Sequence, residues 1–466
     1  MKLPEEFVKE MCNLLGEAEA ERLETALQQP QTMAFRPNRA KQAEALENFR
    51  HVPWSSLGFY LESRPAFTFD PLFHNGSYYV QEPSSMFLEQ ALKVVCSFNE
   101  NGAVSPLRCL DLCAAPGGKS TLLRSLLPDG SLLVSNEVVG QRAQVLVENI
   151  QKWGHPDCVV TNSKPCAFTP LEGFFDIVVV DAPCSGEGMF RKDNPAIQMW
   201  SLANVTKCAR LQREIIRDVW PALREGGFLV YSTCTFNICE DENNVAFFCD
   251  ELDAEVVPIP INSEWGIMGD LSGGDLPVCR FMPHKTHGEG FFLTLLRKKG
   301  KTAVRPAEKK NKTPLYKRLS GEWAGKLNSE EEWKLFQTND VQFAVRDSLA
   351  DDVNILWNCL HVLSAGIPVC HNKGNKCFPH EALALSTQLR KGAFPTVEVN
   401  VENALNYLRR LTLNLPAETP DGFVLITFRE RPLGLVKNLG TRANNLYPQN
   451  WRIRSGYTSD TPRIIN

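Results

Sequence analysis

Two short apolar segments that each end beside a cysteine most constrain how this chain can fold. The first is a β-branched run that ends at Asp181 and is followed by Cys184; the second, residues 227–231, is followed by Cys234. Continuous apolar runs separated by a helix-length segment are typical of buried parallel strands. In open α/β sheets, ligands bind beyond the carboxyl ends of the strands. The sequence therefore predicts that Asp181, Cys184 and Cys234 meet at one edge of a sheet.

The alternation of strands and helices extends this prediction to a doubly wound α/β domain over residues 75–297. Five strands are expected to be parallel, and two more to form a closing antiparallel pair. In chain order the predicted strands lie at 107–112, 131–137, 158–161, 176–181, 227–231, 279–282 and 290–296.

One region precedes this domain in the chain, and a linker follows it. Residues 1–74 are predicted to form a small domain with a helical pattern over 3–50. The aromatic-rich stretch 51–82 is interpreted as a packed cap, with an RNA-stacking surface as the alternative. Residues 298–329 are predicted to be a basic linker, because ten of the 22 positions from 297 to 318 are Lys or Arg.

The C-terminal region, residues 330–466, has a basic and aromatic end. From residue 425 onward it contains seven Arg or Lys and two acidic residues, interleaved with Tyr447, Trp451 and Tyr457. This composition favours a compact RNA-binding module over an interaction or stability domain.

Composition bounds the class of protein. The 466 residues carry a net charge of −4, lack an apolar run of membrane-spanning length, and begin without the features of a signal peptide. The fifteen cysteines are odd in number and spread over a large chain, so we expect reduced thiols in the cytoplasm. The spacing of Cys370, His371, Cys377 and His380 is not that of a common zinc site, and no metal is predicted.

The turn after the first predicted strand, residues 113–120, is predicted to bind a nucleoside cofactor. Its small residues let backbone amides approach a ligand, and the helix that follows adds partial positive charge. A phosphate-binding P-loop needs glycine where Cys113 stands, and the glycine spacing is not that of a dinucleotide site. S-adenosylmethionine (SAM) needs only a tight turn, and Glu137 stands where an acidic side chain would bind ribose hydroxyls. SAM is therefore favoured over a nucleotide.

A nucleophilic thiol beside a SAM site indicates one particular chemistry. Carbon-5 of cytosine is too electron-poor to accept a methyl group directly, but addition of a thiolate at carbon-6 makes carbon-5 nucleophilic. The reaction needs an attacking cysteine, a group that holds the ring nitrogen and amine, and a base for the last proton. Cys234, Asp181 and Cys184 can fill these roles, while a buried structural cysteine is the alternative explanation of any single thiol.

Several motifs resemble those of the RNA cytosine-5 methyltransferases of the Sun/Fmu family, and most closely its RsmF branch. The resemblance rests on residues 111–119, 181–188 and 231–236, with further similarity at 81–86, 189–193, 283–292 and 434–437. It implies a Rossmann-like SAM-dependent methyltransferase with a mostly parallel seven-stranded sheet, a small N-terminal domain and a C-terminal PUA-like RNA-binding region. It also implies small-subunit ribosomal RNA as the substrate, and we expect a cytoplasmic monomer with no membrane partner.

The resemblance also implies roles for particular residues. Cys234 would attack the base, Cys184 would assist release of the methylated product, and Asp181 would contact the cytosine and border the cofactor. Where the family often has an aspartate near the adenine, this chain has Asn162. The residues implied to bind SAM are Cys113, Ala114, Ala115, Pro116, Gly117, Gly118, Lys119, Glu137 and Asp181, with Arg142 and Asn162 as further candidates.

Three alternatives stay open. Cytosine-5 DNA methyltransferases attack with the cysteine of the Pro-Cys motif, so Cys184 is the rival nucleophile. Transfer RNA or DNA is the rival substrate. A catalytically idle RNA-binding assembly factor is the rival from another class, although such a factor would have no need of Cys234, Cys184 and Asp181.

Overall fold

The computed structural model describes residues 2–42, 46, 48–98, 105–300, 315–319, 321–338, 340–374 and 376–456. The middle of the predicted basic linker, residues 301–314, lies outside these ranges, and so does Tyr457. Within the described ranges, every helix is too short or too polar to cross a membrane.

The N-terminal part of the chain consists of short helices and a three-stranded antiparallel sheet. The helical prediction is wrong for residues 33–37, because this segment is a strand hydrogen-bonded to neighbours on both sides. The sheet has the order β2-β1-β3 and crosses the predicted boundary at residue 75. Its elements are α1 (Glu5–Leu15), α2 (Glu17–Leu27), β1 (Met33–Pro37), β2 (Phe59–Leu61), α3 (Pro71–His74), β3 (Tyr78–Gln81) and α4 (Leu88–Ser97).

The aromatic stretch is mostly a packed cap, as predicted. Trp54, Phe59, Phe69 and Tyr78 are all buried, and the rings of this part pack against Phe35 of β1.

The middle of the chain alternates strands and helices as the sequence predicts. Its elements are β4 (Arg108–Asp111), α5 (Gly118–Leu126), β5 (Leu132–Asn136), α6 (Gly140–Trp153), β6 (Cys158–Thr161), β7 (Phe175–Asp181), α7 (Asn194–Met199), α8 (Leu202–Val219), β8 (Leu223–Thr233), α9 (Glu242–Leu252), β9 (Ala254–Val257), β10 (Cys279–Phe281) and β11 (Phe291–Lys298).

The C-terminal region contains two further sheets, of five and four strands. Its elements are β12 (Lys317–Arg318), β13 (Trp333–Gln337), β14 (Val341–Arg346), α10 (Ala350–Cys359), β15 (Val362–Ala365), β16 (Ile367–Lys373), β17 (Lys376–Pro379), α11 (Glu381–Leu385), β18 (Thr396–Glu398), α12 (Val401–Leu408), β19 (Gly422–Phe428), β20 (Arg431–Asn438) and β21 (Ala443–Asn445).

The central sheet is doubly wound, and the predicted α/β class is confirmed. Strands β8, β7, β4, β5 and β6 are parallel in that order, and helices cover both faces. Along β7, Ile177 and Val179 face the core beneath α4, α5 and α6, while Val178 and Val180 face the core beneath α8 and α9. Every residue from Phe175 to Val180 is buried, because both faces of the strand are covered.

The sheet has nine strands rather than the seven that were expected. The two additional strands are β9, which pairs with β11, and β15, which pairs antiparallel with β6 at the far edge. β15 comes from the C-terminal region and satisfies backbone groups that an edge strand would leave unpaired. Core contacts and a partly buried Arg108–Asp352 ion pair reinforce this join. The C-terminal region is therefore partly built into the central sheet.

The expectation of reduced thiols is wrong for one pair of cysteines. Cys370 and Cys377, on the neighbouring strands β16 and β17, form a disulfide, and the other thirteen cysteines are free. Cys377 is opposite Asn372 in the antiparallel register, so Cys370 is its diagonal neighbour on the adjacent strand, which the spacing of seven residues did not indicate.

Candidate functional site

The cysteines that follow two adjacent strands lie in contact. β7 and β8 run parallel with Asp181 opposite Ser232. The Sγ atoms of Cys184 and Cys234 are 2.9 Å apart, and the Ser232 hydroxyl donates to Asp181 Oδ1 at 2.9 Å. The structure thus brings Asp181, Cys184 and Cys234 together at the carboxyl edge of the parallel strands.

Two buried glutamates tie the cysteine-bearing loops to each other. Glu187, in the loop after β7, accepts hydrogen bonds from the backbone N–H of Phe236 at 2.6 Å and from the Asn237 amide at 2.9 Å. Glu240, in the loop after β8, accepts from the backbone N–H of Ser185 at 3.1 Å. These three hydrogen bonds of the glutamate side chains cross between the loops. They hold the two loops in a fixed relative position, and the loops in turn set the distance between the two sulfurs.

Gly188 allows the closest approach of the two loops. Its N–H donates to the carbonyl of Cys234 at 2.6 Å. A Cβ at this position would lie 2.6 Å from the carbonyl oxygens of both Cys234 and Gly290. Since side chains do not approach backbone oxygens this closely, the contact requires glycine.

A buried ion pair supports the backbone around Cys234 from below. The Arg280 guanidinium donates to the Phe236 carbonyl at 2.9 Å and lies 3.2 Å from the Asp241 carboxylate. Asp241 in turn accepts a hydrogen bond from the Thr233 hydroxyl at 2.6 Å. Buried charges that are satisfied in this way hold one arrangement, because breaking either partner leaves an unpaired charge.

The surroundings of Cys184 keep its sulfur protonated. The hydrogen bond to Cys234, together with burial, raises the pKa of the Cys184 thiol well above its ordinary value. Cys184 is therefore a thiol that has a proton to donate at this contact.

A cavity of about 370 Å³, here called the thiol cavity, lies between Cys234 and the turn that follows β4. It is also bordered by Met189 and Lys192 on one side and by Glu289 and Phe291 on another. The predicted site residues that line it are Cys113, Ala114, Ala115, Pro116, Gly118, Lys119, Asp181 and Cys234.

Two features hold the turn after β4 in position: the backbone conformation of Gly117 and hydrogen bonds from Arg36. Gly117 caps α5 with a φ of +115°, a conformation that residues with a side chain rarely adopt. The fully buried Arg36 of β1 donates to the Gly118 carbonyl at 2.9 Å and to the Thr121 hydroxyl at 2.7 Å. The N-terminal sheet therefore braces the turn that borders the thiol cavity.

Lys119 and Asp181 form an ion pair inside the thiol cavity, with Nζ 2.9 Å from Oδ2. Burial alone would lower the pKa of Lys119, but the Asp181 carboxylate outweighs burial and raises it. The ammonium is therefore charged at neutral pH and orients the carboxylate from the side opposite Ser232.

Asp111, at the end of β4, has a buried carboxyl group of which only one oxygen accepts a hydrogen bond from the described residues. Oδ2 accepts a hydrogen bond from Ser120 at 2.7 Å, whereas Oδ1 is buried without a hydrogen-bond partner among the described residues. Burial raises the pKa of Asp111 to about 7. Its motif was recognised in the sequence, but the side chain itself was not singled out.

The raised pKa of Asp111 predicts a pH-dependent stability. Between pH 4 and pH 7 the unfolded chain has lost this proton while the folded chain retains it, so folding becomes less favourable as the pH rises. Asp111→Asn removes this effect, and the free energy of unfolding of wild type should fall relative to the variant by about 2–4 kcal/mol over that window. Denaturant unfolding at pH 4.5, 5.5, 6.5 and 7.5 measures the difference. A difference that is constant with pH would contradict the prediction.

Glu137, Arg142 and Asn162 form a separate group beyond the thiol cavity. The buried Glu137 carboxylate accepts from the Val139 N–H at 2.9 Å and lies 3.4 Å from the Arg142 guanidinium. Arg142 also donates to the Ala115 carbonyl, and the Asn162 amide donates to the Glu137 carbonyl. This group is joined to the turn after β4, although none of its members lines the thiol cavity.

Sequence reasoning missed the residues that hold the site together. Glu240, Asn237 and Arg280 lie outside the motif positions that have a predicted role, and Glu187 lies within the motif 181–188 without a predicted role. The role of Glu187 could have been inferred from its position as a charged residue in a loop of small residues. No feature of a single sequence indicates that Arg280 is buried.

Models of known protein families match three parts of the chain. The family described as 16S rRNA methyltransferase RsmB/F matches residues 103–297. The N-terminal domain of 16S rRNA methyltransferase RsmF matches residues 3–83, and the methyltransferase RsmF PUA domain matches residues 394–453.

Relatives and solved structures agree with these matches. The chain is 32% identical to the ribosomal RNA small subunit methyltransferase F of Shigella boydii serotype 4, over 85% of this chain and 84% of the relative. It is 29% identical to the protein of the same name from Erwinia tasmaniensis, over 96% of each. A methyltransferase homolog from Pyrococcus horikoshii has a TM-score of 0.53 at 26% identity, covering 63% of this chain and 95% of that one. NSun6 from Pyrococcus horikoshii, solved with SFG, has a TM-score of 0.51 at 20% identity, covering 64% and 99%.

Proposed function

Because the chain belongs to the RsmF branch of the RsmB/F family of 16S rRNA methyltransferases, we propose that it methylates carbon-5 of a cytidine in small-subunit ribosomal RNA. The observation that carries the proposal is the 2.9 Å contact between the sulfurs of Cys184 and Cys234. Only Cys234 of the pair lines the thiol cavity, where an unstacked base could enter.

Two features support SAM as the cofactor. The turn after β4 presents small residues to the thiol cavity. The unpartnered Oδ1 of Asp111 lies beneath that turn and suits a cationic group, which SAM carries in its amino and sulfonium centres. The residues that would hold it are Cys113, Ala114, Ala115, Pro116, Gly117, Gly118, Lys119, Glu137, Arg142, Asn162 and Asp181. When bound, SAM supplies the methyl group that carbon-5 takes up.

The attack on the base is assigned to Cys234. Its thiolate would form a bond to carbon-6 of the cytosine, which moves the ring electrons towards carbon-5. Asp181 is held by Lys119 and Ser232 at the same cavity, which supports a role in binding the ring nitrogen and exocyclic amine.

Release of the product is assigned to Cys184. As the bond between sulfur and carbon-6 breaks, the Cys184 proton can pass to the departing Cys234 sulfur, 2.9 Å away. In the same step the carbon-5 proton passes to the Cys184 sulfur, and the electrons of its bond to carbon-5 form the double bond between carbon-5 and carbon-6, so both residues end as thiols and the ring regains its aromaticity. Cys234 loses its proton to solvent before the next attack. The raised pKa of Cys184 supports this role, because the group must hold a proton until that step.

The experiment that tests the function is methyl transfer from radioactive SAM to purified small-subunit RNA, transfer RNA and DNA. We expect incorporation into small-subunit ribosomal RNA alone, and bisulfite sequencing of rRNA from a strain lacking the gene should show the loss of one 5-methylcytidine. Methylation of DNA or transfer RNA in preference would overturn the proposal. Normal rRNA methylation after Cys234→Ser would favour the idle assembly factor instead.

The C-terminal region is proposed to bind the RNA through phosphates. A deletion of residues 331–466 would not isolate this role, because it removes β15 from the central sheet and part of the core. Point substitutions are therefore needed. Arg442, Arg452 and Arg454 are exposed within or just after the residues matched by the PUA family.

Replacing Arg442, Arg452 and Arg454 together by alanine should weaken RNA binding about tenfold at 0.1 M salt. It should also reduce the slope of log K against log salt by about 2, since each lost phosphate contact removes nearly one released counterion. Filter binding at several salt concentrations measures both quantities, and SAM binding should not change.

The matched control removes three exposed charges elsewhere, on helices α1 and α8, with Lys9, Lys207 and Arg210 replaced by alanine. Equal weakening by both triple variants would show a general effect of charge and would argue against this RNA-binding surface. We further propose that the chain acts as a cytoplasmic monomer, for which sedimentation of the protein with and without RNA is the measurement.

A further inference from the structure

A second and larger cavity adjoins the thiol cavity, and the chemistry proposed above makes no use of it. It measures about 730 Å³ and lies between the N-terminal sheet and the segment that leads into β11. We call it the side cavity. Its lining includes the charged or aromatic side chains of Arg50, Tyr60, Glu62 and His287.

Planar side chains pack around the Tyr60 ring at the side cavity. The guanidinium carbon of Arg50 lies 4.5 Å from the centroid of this ring, and the His287 imidazole contacts it at a tilt of 57° with centroids 4.7 Å apart. Tyr60 is buried and fixed, because its hydroxyl donates to the His287 carbonyl at 2.9 Å, whereas Arg50 and His287 are exposed. Exposed planar groups on a fixed ring are the surfaces on which proteins stack unpaired bases.

The charges at the side cavity suit a neutral base better than a phosphate. Arg50 and Glu62 carry opposite charges and are both exposed. Partial burial of the imidazole, with Arg50 and Arg191 nearby, lowers the pKa of His287 below its ordinary value, so the ring is neutral at pH 7. A carboxylate beside the stacked groups can accept hydrogen bonds from the N–H groups of a base but repels a phosphate.

The side cavity and the thiol cavity share one wall. The Glu289 carboxylate borders the thiol cavity and accepts the backbone N–H of Thr32, which borders the side cavity, at 3.0 Å. Arg191 fixes this wall by donating to Glu289 at 2.9 Å and to the Gly288 carbonyl at 2.6 Å. His287 and Glu289 are two residues apart, so about 7 Å of backbone at most separates the two linings.

We infer that the side cavity binds, by stacking, the base of an RNA nucleotide that neighbours the cytidine in the thiol cavity. The inference rests on the proposed function and adds a positioning site for the substrate strand. When the target cytidine leaves its stack, the neighbouring base loses a stacking partner, and Arg50 and His287 replace it. The side cavity thereby stabilises the opened strand and selects single-stranded or opened RNA over a closed helix.

The test compares substitutions of His287 that differ only in stacking. His287→Leu should raise KM for the RNA substrate about tenfold with kcat changed less than about twofold, because loss of one stacked base weakens binding by that order. His287→Phe should restore KM. In parallel, 2-aminopurine placed at each position flanking the target cytidine should be quenched at one position by wild type and His287→Phe, but not by His287→Leu.

A pair of arginine substitutions separates stacking from charge. Arg50→Ala should raise KM for RNA, whereas Arg64→Ala, which removes an exposed charge just after β2 and outside the side cavity, should not. Equal effects of the two would overturn the inference, as would an unchanged KM and unchanged quenching in His287→Leu. If wild type methylates no RNA, the proposed function fails, and the quenching pattern still decides whether a base stacks here.

Discussion

Cys234→Ala is expected to lower methyl transfer by about 10⁴-fold or more, because it removes the only proposed bond between protein and base. The variant should also fail to form a covalent complex with RNA that contains 5-azacytidine. That analogue has no carbon-5 proton to lose, so the bond between sulfur and carbon-6 cannot be broken once methylation has occurred. Denaturing gel electrophoresis of radioactive RNA measures the trapped complex.

Cys184→Ala is expected to have the opposite effect on the trapped species. Attack by Cys234 remains possible, but the proton that assists release is missing, so a covalent complex should accumulate even with unmodified RNA. Cys166→Ala, which replaces an exposed free cysteine outside both motifs, serves as the control and should behave as wild type. If Cys234→Ala still traps and Cys184→Ala does not, the roles of the two thiols are reversed.

Gly188→Ala is expected to reduce kcat by about 100-fold or more without changing any reactive group. The added methyl would lie 2.6 Å from the carbonyl oxygens of Cys234 and Gly290. Both are backbone atoms, so the two loops must move apart, and a displacement near 1 Å at the reacting centre has effects of this size. Steady-state kinetics with RNA measures the loss, and SAM binding should be nearly unaffected if the change is confined to the loops.

The matched control for Gly188→Ala is Gly269→Ala. A Cβ at Gly269 would meet no atom within 4 Å, so activity and thermal stability should both stay at wild-type values. If Gly188→Ala retains full kcat, the 2.9 Å contact of the sulfurs does not depend on the fixed loop geometry described above. Thermal unfolding of both variants separates a local displacement from loss of the fold.

Local patterns in the sequence were sufficient to predict the centre of the molecule. The apolar runs ending at Asp181 and before Cys234 are buried on both faces, and such runs are typical of parallel strands. Because ligands meet the carboxyl ends of these strands, the grouping of Asp181, Cys184 and Cys234 could be predicted without knowing any contact.

Long-range pairing accounts for what the sequence did not reveal. Nothing in the segment Val362–Ala365 specifies that it pairs with β6, since strand propensity does not name a partner. The disulfide between Cys370 and Cys377 depends on the register of β16 against β17. Glu187 and Arg280 are charged residues in buried positions, where only the surrounding donors and acceptors explain them.

The join between β6 and β15 has a consequence for how the protein is made. β6 ends at residue 161, and the strand that covers its free edge is synthesised about 200 residues later. At ordinary rates of translation, the nascent chain spends about 10–40 s with that edge exposed. An uncovered edge of a hydrophobic sheet is prone to pair with other chains, so chaperone protection during this interval should decide how much active enzyme a cell obtains.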